Sequence, residues 1–221
     1  MTWEEHYILY REACARGGNE AYLRLQSARK RVAQNSPEDW QWLINTLNGD
    51  DVELKRFVAQ VFRFQQLPKR LVLPMLRAGV LERNPSLNRY FIKPCVRFYS
   101  AAQVCTVLLS YLETGNNEEK AGAASAWYWA WDPKPCEDLL EINTRIQAAM
   151  LREFINNEDL QVRQRIIPLL NLNPEFYSEE SQPLIAQAIE IARTHPDENI
   201  RHRVEIQLGG KGPFLVIPDT E

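Results

Sequence analysis

The sequence has few of the residues that build disulfide-rich, fibrous or membrane-spanning proteins. Only 4 of its 221 residues are cysteines, and they lie far apart without a Cys-x-x-Cys pair. This spacing favours buried reduced thiols over a zinc site or a disulfide framework. With 9 glycines and 13 prolines, the chain is not of a fibrous or disordered type. No apolar run approaches the roughly 18 residues of a membrane helix.

Motifs for catalysis and nucleotide binding are also missing. The chain has no Gly-x-Gly-x-x-Gly, no phosphate-binding Gly-Lys-Ser/Thr loop, no Gly-x-Ser-x-Gly and no His-Glu-x-x-His. Its three histidines, His6, His195 and His202, are scattered, and we interpret His202 as a surface residue rather than a ligand or base. We therefore expect no catalytic residue, no metal site and no cofactor, which favours a non-enzymatic protein.

The composition is that of an ordinary globular chain. The chain is 45% apolar and 25% charged, with 26 basic and 29 acidic side chains and a net charge of -3. A chain of this length can bury about 70% of its unfolded surface. The opening residues 1–6 lack the basic start and apolar stretch of a secretory signal. We expect a cytoplasmic protein that does not associate with membranes.

Apolar residues recur at helical spacing along the chain, and no segment alternates as a strand would. Five segments open with a candidate N-cap and place an apolar anchor three residues later: 51–54, 84–87, 118–121, 159–162 and 197–200. In the third segment Glu118 or Asn117 is the candidate cap. The anchors are 33, 34, 41 and 38 residues apart. An Asp or Asn side chain can accept the unpaired N–H groups of a first helical turn.

Another predicted helix precedes each of these segments, over 37–47, 68–80, 101–113, 137–155 and 179–194. The repeating unit is thus a helical hairpin, used about five times, in an all-α fold. Residues 1–35 add an irregular pair, 3–15 and 20–33, divided at Gly17 and Gly18. Irregular terminal units are typical of repeat proteins. We predict one domain over 1–221, with repeats at 37–208 and a tail at 209–221.

Two segments carry a family resemblance. Residues 159–163, Asp-Leu-Gln-Val-Arg, and 197–201, Asp-Glu-Asn-Ile-Arg, resemble the opening of the second helix in HEAT repeats, and 51–55 is similar with Lys for Arg. The resemblance covers about 37–208. It implies a right-handed α-solenoid of five to six antiparallel hairpins, curved around a concave face that usually holds other proteins. In that family the Asp and Arg form a ladder between repeats. Asn88 and Gly122 interrupt it here.

Basic residues concentrate in the middle of the chain. Residues 52–112 hold 10 basic and 2 acidic side chains, whereas 113–160 hold 4 and 10. At about 100° per residue, five of these cations point away from the anchors. They are Arg56, Arg63, Arg89, Lys93 and Arg97. If second helices line the concave face, these side chains form one basic patch that attracts an anionic partner. The alternative is a solvated face balanced by acids on neighbouring helices.

The densest aromatic cluster is the segment 127–132, Trp-Tyr-Trp-Ala-Trp-Asp. Taking Ala121 as the anchor places Tyr128 and Trp129 inward and Trp127 outward, on the same face as Lys93. An outward Trp beside cations is a common interface anchor. Alternatively, all three tryptophans fill the space left by the small residues 121–126. A register shift of one residue would exchange the roles of Trp127 and Trp131.

The favoured function is a scaffold or adaptor that binds a protein with an acidic surface. Its candidate partner-binding residues are Arg56, Arg63, Arg89, Lys93, Arg97 and Trp127. A second hypothesis is nucleic-acid binding, because HEAT-like alkylpurine DNA glycosylases use Trp and Asp on a concave surface, inviting comparison with Trp127, Trp131 and Asp132. The acidic net charge opposes tight phosphate binding. A bilin lyase-like role, or that of an inhibitor or immunity protein, is a further alternative.

Overall fold

A computed structural model describes residues 1–131 and 136–212, and regular structure in this part of the chain consists of helices alone. The predicted all-α fold is confirmed. No described helix has the length and apolar character needed to cross a lipid bilayer. Asp132 and most of the predicted tail at 209–221 lie outside the described residues.

The helices fall into two compact units, Met1–Glu82 with Ser86–Phe98, and Arg83–Pro85 with Tyr99–Glu221. The helices of the first unit are α1 (Trp3–Arg16), α2 (Glu20–Arg31), α3 (Pro37–Asn48), α4 (Val52–Phe62), α5 (Lys69–Val80) and α6 (Arg89–Phe98). Those described in the second unit are α7 (Ala101–Thr114), α8 (Asn117–Ala130), α9 (Glu137–Asn156), α10 (Leu160–Ile166), α11 (Gln182–Thr194) and α12 (Glu198–Ile206). The prediction of a single domain over 1–221 stays a prediction.

Consecutive helices pair, and the pairs contact one another in series within each unit. In the first unit α1 packs on α2, α3 on α4 and α5 on α6, while α4 contacts both α2 and α6, and α3 contacts α5. In the second unit α7 packs on α8, α9 on α10 and α11 on α12, with α9 between α7 and α11 and α10 between α8 and α12. The helical hairpins expected from the repeat are therefore present in both units.

Three predicted N-caps are confirmed. The carboxylates of Asp51, Asp159 and Asp197 each accept the backbone N–H three residues further on, at 2.9, 3.0 and 3.1 Å. These bonds satisfy amides that have no partner within the helix. Between α1 and α2 the break at Gly17 and Gly18 is confirmed too, since both have φ of 75°, which favours glycine.

The other two predicted caps are wrong. Asn116, not Glu118 or Asn117, is the N-cap of α8, in a reciprocal capping box with Glu119. Asn84 does not begin α6, which starts only at Arg89. The buried Asn88 side chain instead donates to the Gly79 carbonyl near the end of α5, at 2.9 Å. This bond satisfies a carbonyl near the end of α5 rather than an N–H group at the start of α6.

The motif arginines bind backbone carbonyls. Arg163 donates to the carbonyls of Phe154 and Ile155, in the last turn of α9. Arg201 donates likewise to the carbonyls of His195 and Pro196, just after α11. These arginines satisfy carbonyls left without partners at helix ends. Among the described salt bridges none joins the Asp and Arg of these motifs.

Gly79 allows α5 and α6 to approach closely. A Cβ added at Gly79 would lie 2.8 Å from Phe91 Cβ and 2.9 Å from Ile92 Cδ1. Phe91 and Ile92 are fully buried, so neither has open space to move into. The absence of a side chain at Gly79 thus leaves room for α6, with its row of basic residues, to pack directly on α5.

Gly79→Ala should lower the free energy of unfolding by about 1–3 kcal/mol because of this overpacking, even though Ala favours helices by about 1 kcal/mol over Gly. Urea unfolding followed by circular dichroism measures the difference. Gly209→Ala is the matched control, because no atom lies within 4 Å of its added Cβ. Equal stability of the Gly79→Ala variant and the control would contradict the close contact.

Candidate cationic and aromatic surface

Arg56 belongs to an internal ion pair rather than to an open basic patch. Its Nε and Nη2 donate to the Glu82 carboxylate at 2.8 and 2.7 Å, and its Nη1 donates to Glu53 at 2.6 Å. Only 2% of the Glu82 side chain is exposed. The hydrogen bonds to Glu82 raise the pKa of the Arg56 guanidinium above its ordinary value. For Arg56 the structure thus agrees with the alternative in which acidic side chains nearby balance the cations.

The sequence places Trp127 outward, and this prediction is wrong. Trp127 is 7% exposed, and its Nε1 donates to Asn143 Oδ1 at 2.9 Å. Helix α8 packs on both α7 and α10, so its buried face is wider than one anchor at Ala121 indicates. Ala123, Trp127 and Ala130 share that face at spacings of four and three. Trp127 is therefore a core residue, whereas Trp131 is half-exposed at the end of the helix.

Three arginines surround one exposed ring. Phe64, which is 58% exposed, lies just after α4 ends at Phe62. The guanidinium carbons of Arg63, Arg29 and Arg97 lie 4.9, 5.3 and 5.9 Å from the centre of its ring. Distances below about 6 Å are in the range of attraction between a cation and an aromatic face.

Tyr90 extends this cluster along α6. The guanidinium carbons of Arg89 and Arg63 lie 4.9 and 5.0 Å from the centre of its ring, and Arg89 Nη2 donates to the Tyr90 hydroxyl at 3.0 Å. This hydrogen bond, together with the charges of both arginines, lowers the pKa of the Tyr90 phenol. Arg97 Nη1 also donates to the Arg63 carbonyl at 3.3 Å.

We call these side chains the arginine–aromatic surface, whose members are Arg63, Phe64, Arg89, Tyr90 and Arg97. It contains three of the six residues predicted to bind a partner. Lys93 lies between Arg89 and Arg97 on α6 and is half-buried. The helical periodicity of the sequence does not identify Phe64 as a surface residue, and Tyr90 is half-buried. Phe64 lies two residues past Phe62, the last buried residue of α4. Helical periodicity does not apply beyond the end of the helix, so it could not indicate that Phe64 is exposed.

The guanidiniums of the arginine–aromatic surface contact aromatic rings and a backbone carbonyl. No salt bridge among the described residues engages Arg63, Arg89, Arg97 or the neighbouring Arg29. The first unit holds 15 basic and 10 acidic side chains, a net charge of +5, while the rest of the chain holds 11 and 19, a net charge of -8. The aromatic faces thus adjoin several like charges that form no ion pair within residues 1–131 and 136–212.

The histidines have structural surroundings. Burial is the main cause that lowers the pKa of His6 and His195, and His195 Nδ1 accepts the Asp197 backbone N–H at 3.0 Å. His202 is exposed. Within residues 1–131 and 136–212, no three His, Cys, Asp or Glu side chains cluster as metal ligands do.

Comparisons with known proteins return no relative. No protein-family model, no curated protein and no solved structure matches the chain.

Arg56→Gln should lower the free energy of unfolding by about 3 kcal/mol, because it leaves the buried Glu82 carboxylate without its guanidinium. Arg89→Gln is the matched control: the same change at an exposed arginine without a carboxylate should alter stability by less than about 0.5 kcal/mol. Urea unfolding of both variants measures the difference. Equal losses would contradict the separation of Arg56 from the arginine–aromatic surface.

Proposed function

We propose that the chain is a non-enzymatic interaction module, a scaffold or adaptor that binds an acidic protein through the arginine–aromatic surface. We further propose that its hairpins form a right-handed, HEAT-like α-solenoid. Two observations support this architecture. The hairpins contact one another in series within each unit. In the Asp-x-x-Val-Arg segment, Asp159 caps the start of α10, and Arg163 binds a carbonyl at the end of α9. A cytoplasmic location stays a prediction.

The observation that carries the proposal is the set of guanidiniums around Phe64 and Tyr90 that form no salt bridge in the part of the chain that the structure describes. Exposed arginines steer an anionic partner toward their surface and fix its orientation. Phe64 adds an exposed apolar ring, and aromatic and arginine side chains are the types most enriched at interaction hot spots. A partner's carboxylates would pair with these guanidiniums and offset the +5 net charge of the first unit.

The comparison with DNA glycosylases loses one of its residues in the structure. Trp127, which it requires on the surface, is buried, and Asp132 is outside the described residues. Phosphate groups could still pair with exposed arginines, so nucleic acid belongs in the test as a competing probe.

Fluorescence anisotropy with a labelled hexaglutamate peptide tests the proposal. We expect the wild-type protein to bind this peptide and not a labelled hexaglutamine peptide, and to lose affinity as salt rises. The triple variant Arg63→Gln/Arg89→Gln/Arg97→Gln should weaken binding by about tenfold or more, because each exposed ion pair contributes up to about 1 kcal/mol.

The matched control is Arg77→Gln/Arg145→Gln/Arg152→Gln, which removes the same charge from exposed helix positions. It should keep most of the wild-type affinity. Equal weakening in both triple variants would reduce the effect to net charge and contradict the assignment of the surface. Tighter binding of a labelled single-stranded oligonucleotide than of the peptide would favour a nucleic-acid partner instead.

A further inference from the structure

Arg29 is a buried cation that forms no salt bridge with any residue of 1–131 and 136–212. The residue is 8% exposed, and in the part of the chain that the structure describes its guanidinium makes one hydrogen bond, from Nη2 to the Gln60 carbonyl at 2.9 Å. Its Nε is buried without any partner. Burying a charge that is neither paired nor fully hydrogen-bonded is costly. An anion that reaches this guanidinium would supply a partner of opposite charge.

The neighbours of Arg29 do not supply that anion. The centre of the Phe64 ring lies 5.3 Å from the guanidinium carbon of Arg29. Burial is the main cause that lowers the pKa of Arg29, and Arg63 lowers it further. The phenol of Tyr22 raises the pKa of Arg29. The carboxylate of Asp39, close to the end of α2, is already paired with Arg31 at 2.8 Å.

Arg29 also lines a cleft of about 550 Å³ between the end of α2, α3 and the connection from α4 to α5. This volume falls within the roughly 300–1,000 Å³ of small-ligand sites. Its other lining residues are Gln26, Lys30, Val32, Ala33, Trp40, Gln65, Gln66 and Pro68. None is acidic, the three glutamines offer amide donors for a peptide backbone, and Trp40 offers an aromatic wall.

We propose that this cleft receives one Glu or Asp side chain of the acidic partner and that the Arg29 guanidinium binds its carboxylate. The inference rests on the proposed function and names its anchor. The planar guanidinium matches a carboxylate with two parallel hydrogen bonds. A pair formed in the cleft is less exposed to solvent ions than pairs at the arginine–aromatic surface, so salt screens it less.

The test is the binding of the labelled hexaglutamate peptide to Arg29→Met, at about 50 mM and about 500 mM salt. We expect affinity to fall by about tenfold or more and the fold-loss to be similar at both salt concentrations. The loss caused by the triple variant of the surface arginines should shrink at high salt. The Tm of the unliganded Arg29→Met protein should not fall, because a buried unpaired charge has been replaced by an apolar side chain.

A second variant tests the cleft by adding a charge. Gln26 precedes Arg29 by three residues on α2 and lines the same cleft, so Gln26→Glu places a carboxylate on the neighbouring helix position. We expect a higher Tm and weaker peptide binding, because the internal carboxylate occupies Arg29. Gln41→Glu, at an exposed position outside the cleft lining on α3, is the matched control and should leave peptide affinity unchanged beyond the effect of one charge.

The outcomes separate the two proposals. Unchanged peptide binding by Arg29→Met and Gln26→Glu, with a loss in the triple variant, would overturn the Arg29 anchor and leave the surface intact. A lower Tm for Arg29→Met with unchanged affinity would make Arg29 a purely structural residue. Absence of peptide binding by the wild-type protein would overturn both proposals.

Discussion

Each helix of the chain buries one apolar face against its neighbours, and this burial decides which side chains remain at the surface. Helix α4 shows the rule most clearly: Phe57, Val58, Val61 and Phe62 are fully buried. The chain leaves the helix directly after Phe62, so the next two residues, Arg63 and Phe64, are turned to solvent. The arginine–aromatic surface begins at this end of α4. Its position follows from where the apolar face of α4 ends.

Two kinds of arginine result from that packing. Arg56 is paired with the buried carboxylate of Glu82, whereas Arg63, Arg89 and Arg97 have aromatic rings and a backbone carbonyl as partners. Attraction between a cation and a ring gives about 0.5–1 kcal/mol at an exposed site. This holds the arginines in place without cancelling their charge. A surface built in this way keeps its electrostatic attraction for an anionic partner.

The periodicity of the sequence was sufficient to place most helices. The segment predicted at 101–113 is observed as Ala101–Thr114, and that at 137–155 as Glu137–Asn156. Local capping by Asp51, Asp159 and Asp197 was also visible, because cap and amide are three residues apart. Such features depend on neighbours in sequence, which a pattern can represent.

The misplaced features depend on residues far apart in the sequence. The partner of Arg56 is 26 residues away, and the Asn143 amide that receives the Trp127 N–H is 16 residues away. Trp127 faces inward because two helices cover α8, and a single anchor cannot reveal the width of a buried face. The meeting of Arg29, Arg63 and Arg97 at Phe64 joins α2, the end of α4 and α6. That part of the candidate site could be recognised only in the three-dimensional structure.

The most direct test of the central claim observes the arginines themselves. In the NMR spectrum of the protein labelled with nitrogen-15, the Nε–H signals of Arg29, Arg63, Arg89 and Arg97 should shift as hexaglutamate peptide is added, while those of Arg77 and Arg145 stay in place. Hydrogen bonds from a guanidinium to a carboxylate are the strong, charge-assisted kind, so the affected signals identify the binding residues. Uniform small shifts of all arginine signals, or none, would contradict an acidic partner site at this surface.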